Sequence, residues 1–199
     1  MTKIILATRN EHKLGELRAI LASAGVRAEL SGAAEFDLPD VVEDGLSFAE
    51  NALLKAVDAA ERTGLPAIAD DSGICVDALN GMPGIFSARW AGRHGQDAAN
   101  LDLLLAQLSD IADEHRGARF VCAAALALPG GERVVREGFV AGRLLRERRG
   151  EGGFGYDPVF LPEGFELSTA ELSAEQKNAI SHRGRAFQAL ASDIAALVK

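Results

Sequence analysis

The chain has 199 residues, with 21 Lys and Arg against 29 Asp and Glu, for a formal net charge of -8. That length, with ordinary apolar and charged fractions, suits one compact domain over residues 1–199 with a sizeable core. The acidic balance argues against a nonspecific nucleic-acid binder, which needs broad phosphate neutralisation, and leaves small anions open as partners.

The apolar run Ile4-Ile5-Leu6-Ala7 is too short for a signal-peptide core or a bilayer span, so no membrane partner and a cytoplasmic location are expected. Lys3 to Thr8 reads as a strand, followed by Leu14, Leu17, Ile20 and Leu21 on one helical face with Asn10 as its N-cap. Ala28 to Leu30 reads as a short second strand. Ser47 to Thr63 predicts a helix with an apolar side of Phe48, Ala52, Ala56, Ala59 and Ala60 and a polar side of Asn51, Lys55, Asp58 and Arg62. Ser47 with Glu50 matches a capping box. Pro66 to Ala69 reads as a buried strand leading into Asp70-Asp71-Ser72-Gly73, with the apolar pattern resuming at Ile74-Cys75-Val76, which places the two acids beside a strand break.

Beyond the turn-rich Asn80 to Gly84, a helix is expected over Ala98 to Leu108 and a strand over Arg119 to Leu128. Pro129-Gly130-Gly131 turns the chain so that Val134 to Val140 pairs back antiparallel. Gly150 to Asp157 is a glycine-rich loop, and a last helix starts near Ser181 with a stripe of Phe187, Leu190, Ala191, Ile194, Leu197 and Val198. Strand-like and helix-like segments in alternation define an α/β class. Cys75 and Cys122 sit in apolar runs as buried thiols, which suits a reducing compartment.

Three features carry chemistry. Lys13, His182 and Arg183 fall in the first turns of predicted helices, where cations oppose the macrodipole; either they await an anion such as a polyphosphate, or they are solvent-screened surface charges. Glu43, Asp44, Glu50, Asp70 and Asp71 supply hard oxygens near element ends, a supply that matches Mg2+ better than a closed zinc site. Adjacent carboxylates repel unless a cation or proton is shared, so Asp70-Asp71 is the least ordinary of these. In Gly152-Gly153-Phe154-Gly155-Tyr156-Asp157-Pro158, glycines permit close backbone approach and two rings offer faces for a planar base, although Phe154 serves equally as a core anchor.

These blocks resemble the inosine/xanthosine triphosphate pyrophosphatase family, which removes deaminated purine nucleotides from the nucleotide pool. The resemblance rests on Thr8 to Lys13, Glu43-Asp44-Gly45, Phe48 to Ala52 with Lys55, Asp70 to Gly73, Ala78 to Gly81, Pro83-Gly84, Ser87-Ala88-Arg89, Gly153 to Pro158, and Lys177 with Ser181-His182-Arg183. It implies an elongated mixed central sheet flanked by helices, two lobes with a substrate cleft between them, Mg2+ dependence and a homodimer. It further implies hydrolysis of ITP, dITP and XTP to the monophosphate and pyrophosphate. By motif, Asp71 is the catalytic acceptor and a metal ligand, Glu43 a second ligand, and Ser72 a substrate contact. Thr8, Arg9, Asn10, Glu11, His12 and Lys13 hold the triphosphate, and Phe154, Gly155, Tyr156, Asp157, Lys177, His182 and Arg183 surround base and sugar-phosphate. Arg9, Glu11 and His12 stand where many members carry smaller residues, so backbone contacts are expected from those positions.

Overall fold

The computed structural model describes residues 2–8 and 11–197, with side chains of the first helix from Lys13 onward. The expected N-cap Asn10, Arg9, the side chains of Glu11 and His12, and Val198 of the last stripe lie outside the described residues.

Strands β1 (Thr2–Leu6), β2 (Ala28–Gly32), β3 (Ala67–Val76), β4 (Gly117–Ala127), β5 (Arg133–Leu144) and β6 (Phe160–Pro162) form a six-stranded sheet in the order β2-β1-β3-β4-β5-β6. Parallel pairing of β1 with β2 and β3, and antiparallel pairing of β5 with β6, make it mixed. The helices are α1 (Glu11–Ser23), α2 (Phe48–Thr63), α3 (Asp97–Gln107), α4 (Ala174–Ala179) and α5 (His182–Leu197). β4 and β5 are the expected hairpin, its turn closed by Leu128 N donating to Glu132 O and Gly131 N to Leu128 O, both at 2.9 Å.

By compactness the chain divides into two units: Met1–Asp71, Cys122–Gly138 and Arg183–Lys199 in the first, Ser72–Val121 and Phe139–His182 in the second. The chain passes from one to the other inside β3, β4, β5 and α5.

In the first unit, Ile4 and Leu6 of β1, Leu14 and Leu17 of α1, and Phe187, Leu190 and Ile194 of α5 share one core with Cys122 and Leu126. Burying each large apolar side chain contributes roughly 1.5–3 kcal/mol relative to exposure, and their helical spacing puts them on one face of each helix. Helix α2 starts as its sequence demands, with Ser47 Oγ accepting from Glu50 N at 3.1 Å. The reciprocal arm of the expected capping box differs, because the Glu50 carboxylate accepts from Leu46 N at 2.6 Å, one residue earlier.

In the second unit, Ile74 and Val76 of β3, Leu101 and Leu104 of α3, Tyr156 and Phe160 form the core. Arg116, 2% exposed, donates to Leu108 O at 2.6 Å, Leu144 O at 2.9 Å and Leu145 O at 2.8 Å. It thereby satisfies a carbonyl at the end of α3 and the close of β5. Cys75 and Cys122 are both buried and form no disulfide.

The β3 strand corrects one expectation. It is continuous from Ala67 to Val76, so Asp70 and Asp71 lie within a strand and not beside a break. Successive strand residues point to opposite faces, which separates the two carboxylates that the sequence places side by side.

Candidate active site

Asp70 is buried, and both its oxygens accept from Lys13 Nζ at 2.9 Å. Arg183 Nε adds a third hydrogen bond at 3.2 Å, and the Arg183 guanidinium also approaches Glu16 Oε2 at 3.6 Å. The cations in the first turns of α1 and α5 therefore share an internal anion. Burial by itself would raise the Asp70 pKa; Lys13 and Arg183 overcome that and hold it well below the usual carboxylate range. Burial likewise opposes charge on Arg183, and Asp70 more than restores it.

Asp71 has a different set of partners. Asn51 of α2, expected on that helix's polar side, is fully buried. Its side-chain Nδ2 donates to Asp71 Oδ2 at 3.1 Å while its Oδ1 accepts from Gly45 N at 2.9 Å. Gly45 has to be glycine for this: a Cβ there would lie 2.7 Å from Asn51 Oδ1 and 2.8 Å from Glu50 Cβ. One turn along α2, Lys55 Nζ donates to Glu43 Oε1 at 2.7 Å and lies 3.5 Å from Asp71 Oδ1. Burial raises the Asp71 pKa, Lys55 pulls it down, and the nearby Glu43 carboxylate pushes it up again, for a net rise. Burial lowers the Lys55 pKa, but Asp71 and Glu43 reverse that to a net increase.

The donor chemistry of this cluster fits Mg2+. Two hard carboxylates, Glu43 and Asp71, share a single lysine, and a Mg2+ ion takes one or two protein carboxylates, filling the rest of its shell with waters and phosphate oxygens. Among the described residues no group of three or more His, Cys, Asp or Glu is placed to hold a metal ion.

In the second unit the glycine-rich loop is organised by Asp157, which is 4% exposed. Its Oδ2 accepts from Phe154 N at 2.8 Å and Lys177 Nζ at 2.6 Å. A Cβ on Gly153, whose φ is +74°, would collide with that same oxygen, so the loop can close on the carboxylate only through glycine. Gly155 N donates to Asp97 Oδ2 at 3.1 Å, tying the loop to the first turn of α3. The two rings divide their roles. Phe154 is 69% exposed with Lys177 Nζ 5.1 Å from its centroid, whereas Tyr156 is 5% exposed and donates its hydroxyl to Ser87 O at 2.9 Å. Burial pushes the Tyr156 phenol well up. Its ring belongs to the core, so Phe154 alone of the two offers an open face. His182 opens α5, stacked on Phe120 with centroids 5.2 Å apart.

The structure thus joins Lys13 with Arg183 through Asp70, Glu43 with Asp71 through Lys55, and Phe154 with Asp157 and Lys177. Thr8 follows β1, its carbonyl accepting from Ala33 N at 3.1 Å, and Ser72 continues β3 beyond Asp71. Sequence reasoning places Asn51 and Lys55 only on the polar side of α2 and in the shared motif, and Asp70, which it counts among the candidate Mg2+ ligands, pairs with Lys13 and Arg183. Asn51 is the one with a readable signal, an amide interrupting the alanine-rich stretch Phe48 to Ala52.

The chain as a whole is similar to known proteins. A dITP/XTP pyrophosphatase of Streptomyces coelicolor is 67% identical over 191 residues, covering 96% of each chain, and one of Leifsonia xyli is 54% identical over 99% of this chain and 98% of its own. Among solved structures, a nucleoside-triphosphatase or dITP/XTP pyrophosphatase of Mycobacterium abscessus is 55% identical with a TM-score of 0.82, covering 95% of this chain and 97% of that one. A HAM1 protein of Coxiella burnetii is 40% identical with a TM-score of 0.92, covering 98% and 100%. Likeness of this extent, joined to a match of residues 4–193 to the model of the Ham1 family, establishes that the chain belongs to that family.

Proposed function

We propose that this chain hydrolyses non-canonical purine nucleoside triphosphates, ITP, dITP and XTP, to the monophosphate and pyrophosphate with Mg2+ as cofactor. The observation that carries the reading is the arrangement of Glu43, Lys55 and Asp71. A half-buried carboxylate of raised pKa, fixed by an amide and facing a second acid across one lysine, is equipped to handle both a divalent cation and a water proton. The substrate class comes from the names of the relatives, dITP/XTP pyrophosphatases at 54–67% identity.

Asp71 and Glu43 would hold Mg2+, which when bound would supply positive charge to the phosphates and Lewis acidity to the site. Asp71 orients the attacking water and accepts its proton, with Asn51 holding one of its carboxylate oxygens. Lys13 and Arg183 counter the charge that accumulates on the departing pyrophosphate, and Ser72 and residues 8–13 add contacts to the triphosphate. Phe154 offers its open face to the base. Donors from Lys177 and His182 suit the 6-keto acceptor of inosine and xanthosine and mismatch the 6-amino donor of adenine, which leaves buried polar groups unpaired.

The same reading takes residues 1–199 as one catalytic domain acting in the cytoplasm as a homodimer, with nucleotides and no nucleic acid or membrane as partners. Net charge supports the exclusion of nucleic acid, and no helix among the described residues is long and apolar enough to cross a membrane. Pyrophosphate release from a panel of triphosphates, with and without Mg2+, for wild type and Asp71→Asn, tests it. Fast turnover of ITP and XTP over the four common nucleotides, abolished by metal removal and by the substitution, is expected. Absence of turnover for every nucleotide would overturn the reading.

A further inference from the structure

We propose that Phe120 is a positioning residue for base selection, setting through its stack on His182 the plane in which the imidazole meets the base. The proposal rests on the reading above that His182 contacts the base.

The helix start fixes the His182 backbone. Ile180 N donates to Lys177 O at 3.3 Å and Ser181 N to Asn178 O at 3.2 Å, so the connection from α4 into α5 is closed by its own hydrogen bonds. The plane of the half-exposed ring is a separate matter, because χ2 of histidine is broad. Both nitrogens point outward within the ring plane, so whatever sets that plane sets where the N-H and the lone pair are aimed.

Phe120 of β4 supplies that constraint. Its ring lies 5.2 Å from the His182 ring, centroid to centroid, at 15° between planes, an offset stack. Phe120 is in turn held by Phe160, 4.6 Å away at 60°. Phe160 is fully buried and follows the turn that carries Asp157. Its carbonyl accepts from Thr169 N at 2.9 Å, and Thr169 Oγ1 donates to Asp157 O at 2.9 Å. A line of three rings therefore connects the imidazole to the same segment that orients Phe154 and Lys177. Tilting the imidazole would move a donor off the 6-keto oxygen while leaving the phosphates untouched, so the effect falls on base preference and not on the chemical step.

Phe120→Leu keeps the apolar volume and removes the stack; Phe120→Tyr keeps the ring. The ratio of kcat/KM for ITP over ATP should fall about tenfold in Phe120→Leu, mostly through KM for ITP, and stay near wild type in Phe120→Tyr. In a His182→Ala background, Phe120→Leu should change the ratio no further. Carbon-bound imidazole protons of His182, read by NMR on the intact protein, should lose an upfield ring-current shift in Phe120→Leu and retain it in Phe120→Tyr. An unchanged ratio in Phe120→Leu, or an equal loss on every nucleotide in both variants, would overturn the proposal. Wild-type protein that cleaves ITP no better than ATP would remove the nucleotide reading and this one together. Unaltered His182 signals in Phe120→Leu, beside a wild-type preference for ITP, would remove this one alone.

Discussion

Asp70 and Asp71 are consecutive on β3 and yet bind different helices: Asp70 takes Lys13 of α1 and Arg183 of α5, and Asp71 takes Asn51 and Lys55 of α2. Their pKa values move in opposite directions for the same reason. Two full cations outweigh burial at Asp70, whereas at Asp71 the single lysine is shared with a second acid and burial prevails.

Substitution should therefore separate stability from turnover. Asp70→Asn leaves Lys13 and Arg183 without their buried partner, and breaking such a pair costs about 3–5 kcal/mol. Asp71→Asn removes a carboxylate that the fold holds against burial and repulsion, so its unfolding free energy should equal or exceed that of wild type while turnover falls by orders of magnitude. Urea denaturation of the two variants beside wild type, paired with pyrophosphate release, checks both.

The same contrast has a pH signature. An unfolded aspartate titrates near about 3.9, and folded Asp70 titrates lower, so its ion pairs stabilise the protein above about pH 4 and that contribution is lost as pH falls through the folded value. Asp71 holds its proton to higher pH when folded, so its contribution is complete below about pH 4 and declines as pH rises through the folded value. Denaturation series across this range should show a shallower acid-side loss in Asp70→Asn and a shallower decline with rising pH in Asp71→Asn.

Mg2+ should stabilise the free protein. With a two-carboxylate donor set, metal at ten times its dissociation constant adds about 1.4 kcal/mol by mass action, visible as a rise in Tm. Glu43→Gln should abolish the rise. A Tm insensitive to Mg2+ in the wild type would leave the metal to bind only with the nucleotide.

The two loop rings should respond differently. Phe154→Ala, at an exposed position, should leave stability unchanged and raise KM for ITP about tenfold. Tyr156→Phe removes the bond to Ser87 O and should cost about 1 kcal/mol with little change in KM. Thermal unfolding and steady-state kinetics on both variants distinguish the roles.

Helices α1, α2, α3 and α5 were readable because their apolar residues repeat at helical spacing: the buried face of α2 is the one the pattern predicts with Asn51 added, and that of α5 keeps Phe187, Leu190, Ala191 and Ile194, adds Ala186 and leaves Leu197 partly buried, whereas α4 carried no such signal. Continuity of β3 was not, since Asp, Ser and Gly disfavour strands locally and only tertiary partners offset that preference. Those partners are distant in sequence: Lys13 lies 57 positions from Asp70, and Arg183 lies 113 away. For the same reason the cations in the first turns of α1 and α5 pointed in the sequence to an external anion, whereas the fold also supplies Asp70 to Lys13 and Arg183. Tyr156 and Phe154 are alike in sequence context, and only packing shows which one is in the core.

The passage of the chain between its two compact units through β3, β4, β5 and α5 has an evolutionary consequence. Neither unit is a transferable module. Recombination that exchanged one of them between relatives would need its junctions inside strands and a helix, each in register, where a slip of one residue turns every later strand side chain to the other face. Substrate range in such a chain changes by point substitution in place, around carboxylates whose facing is set by strand parity.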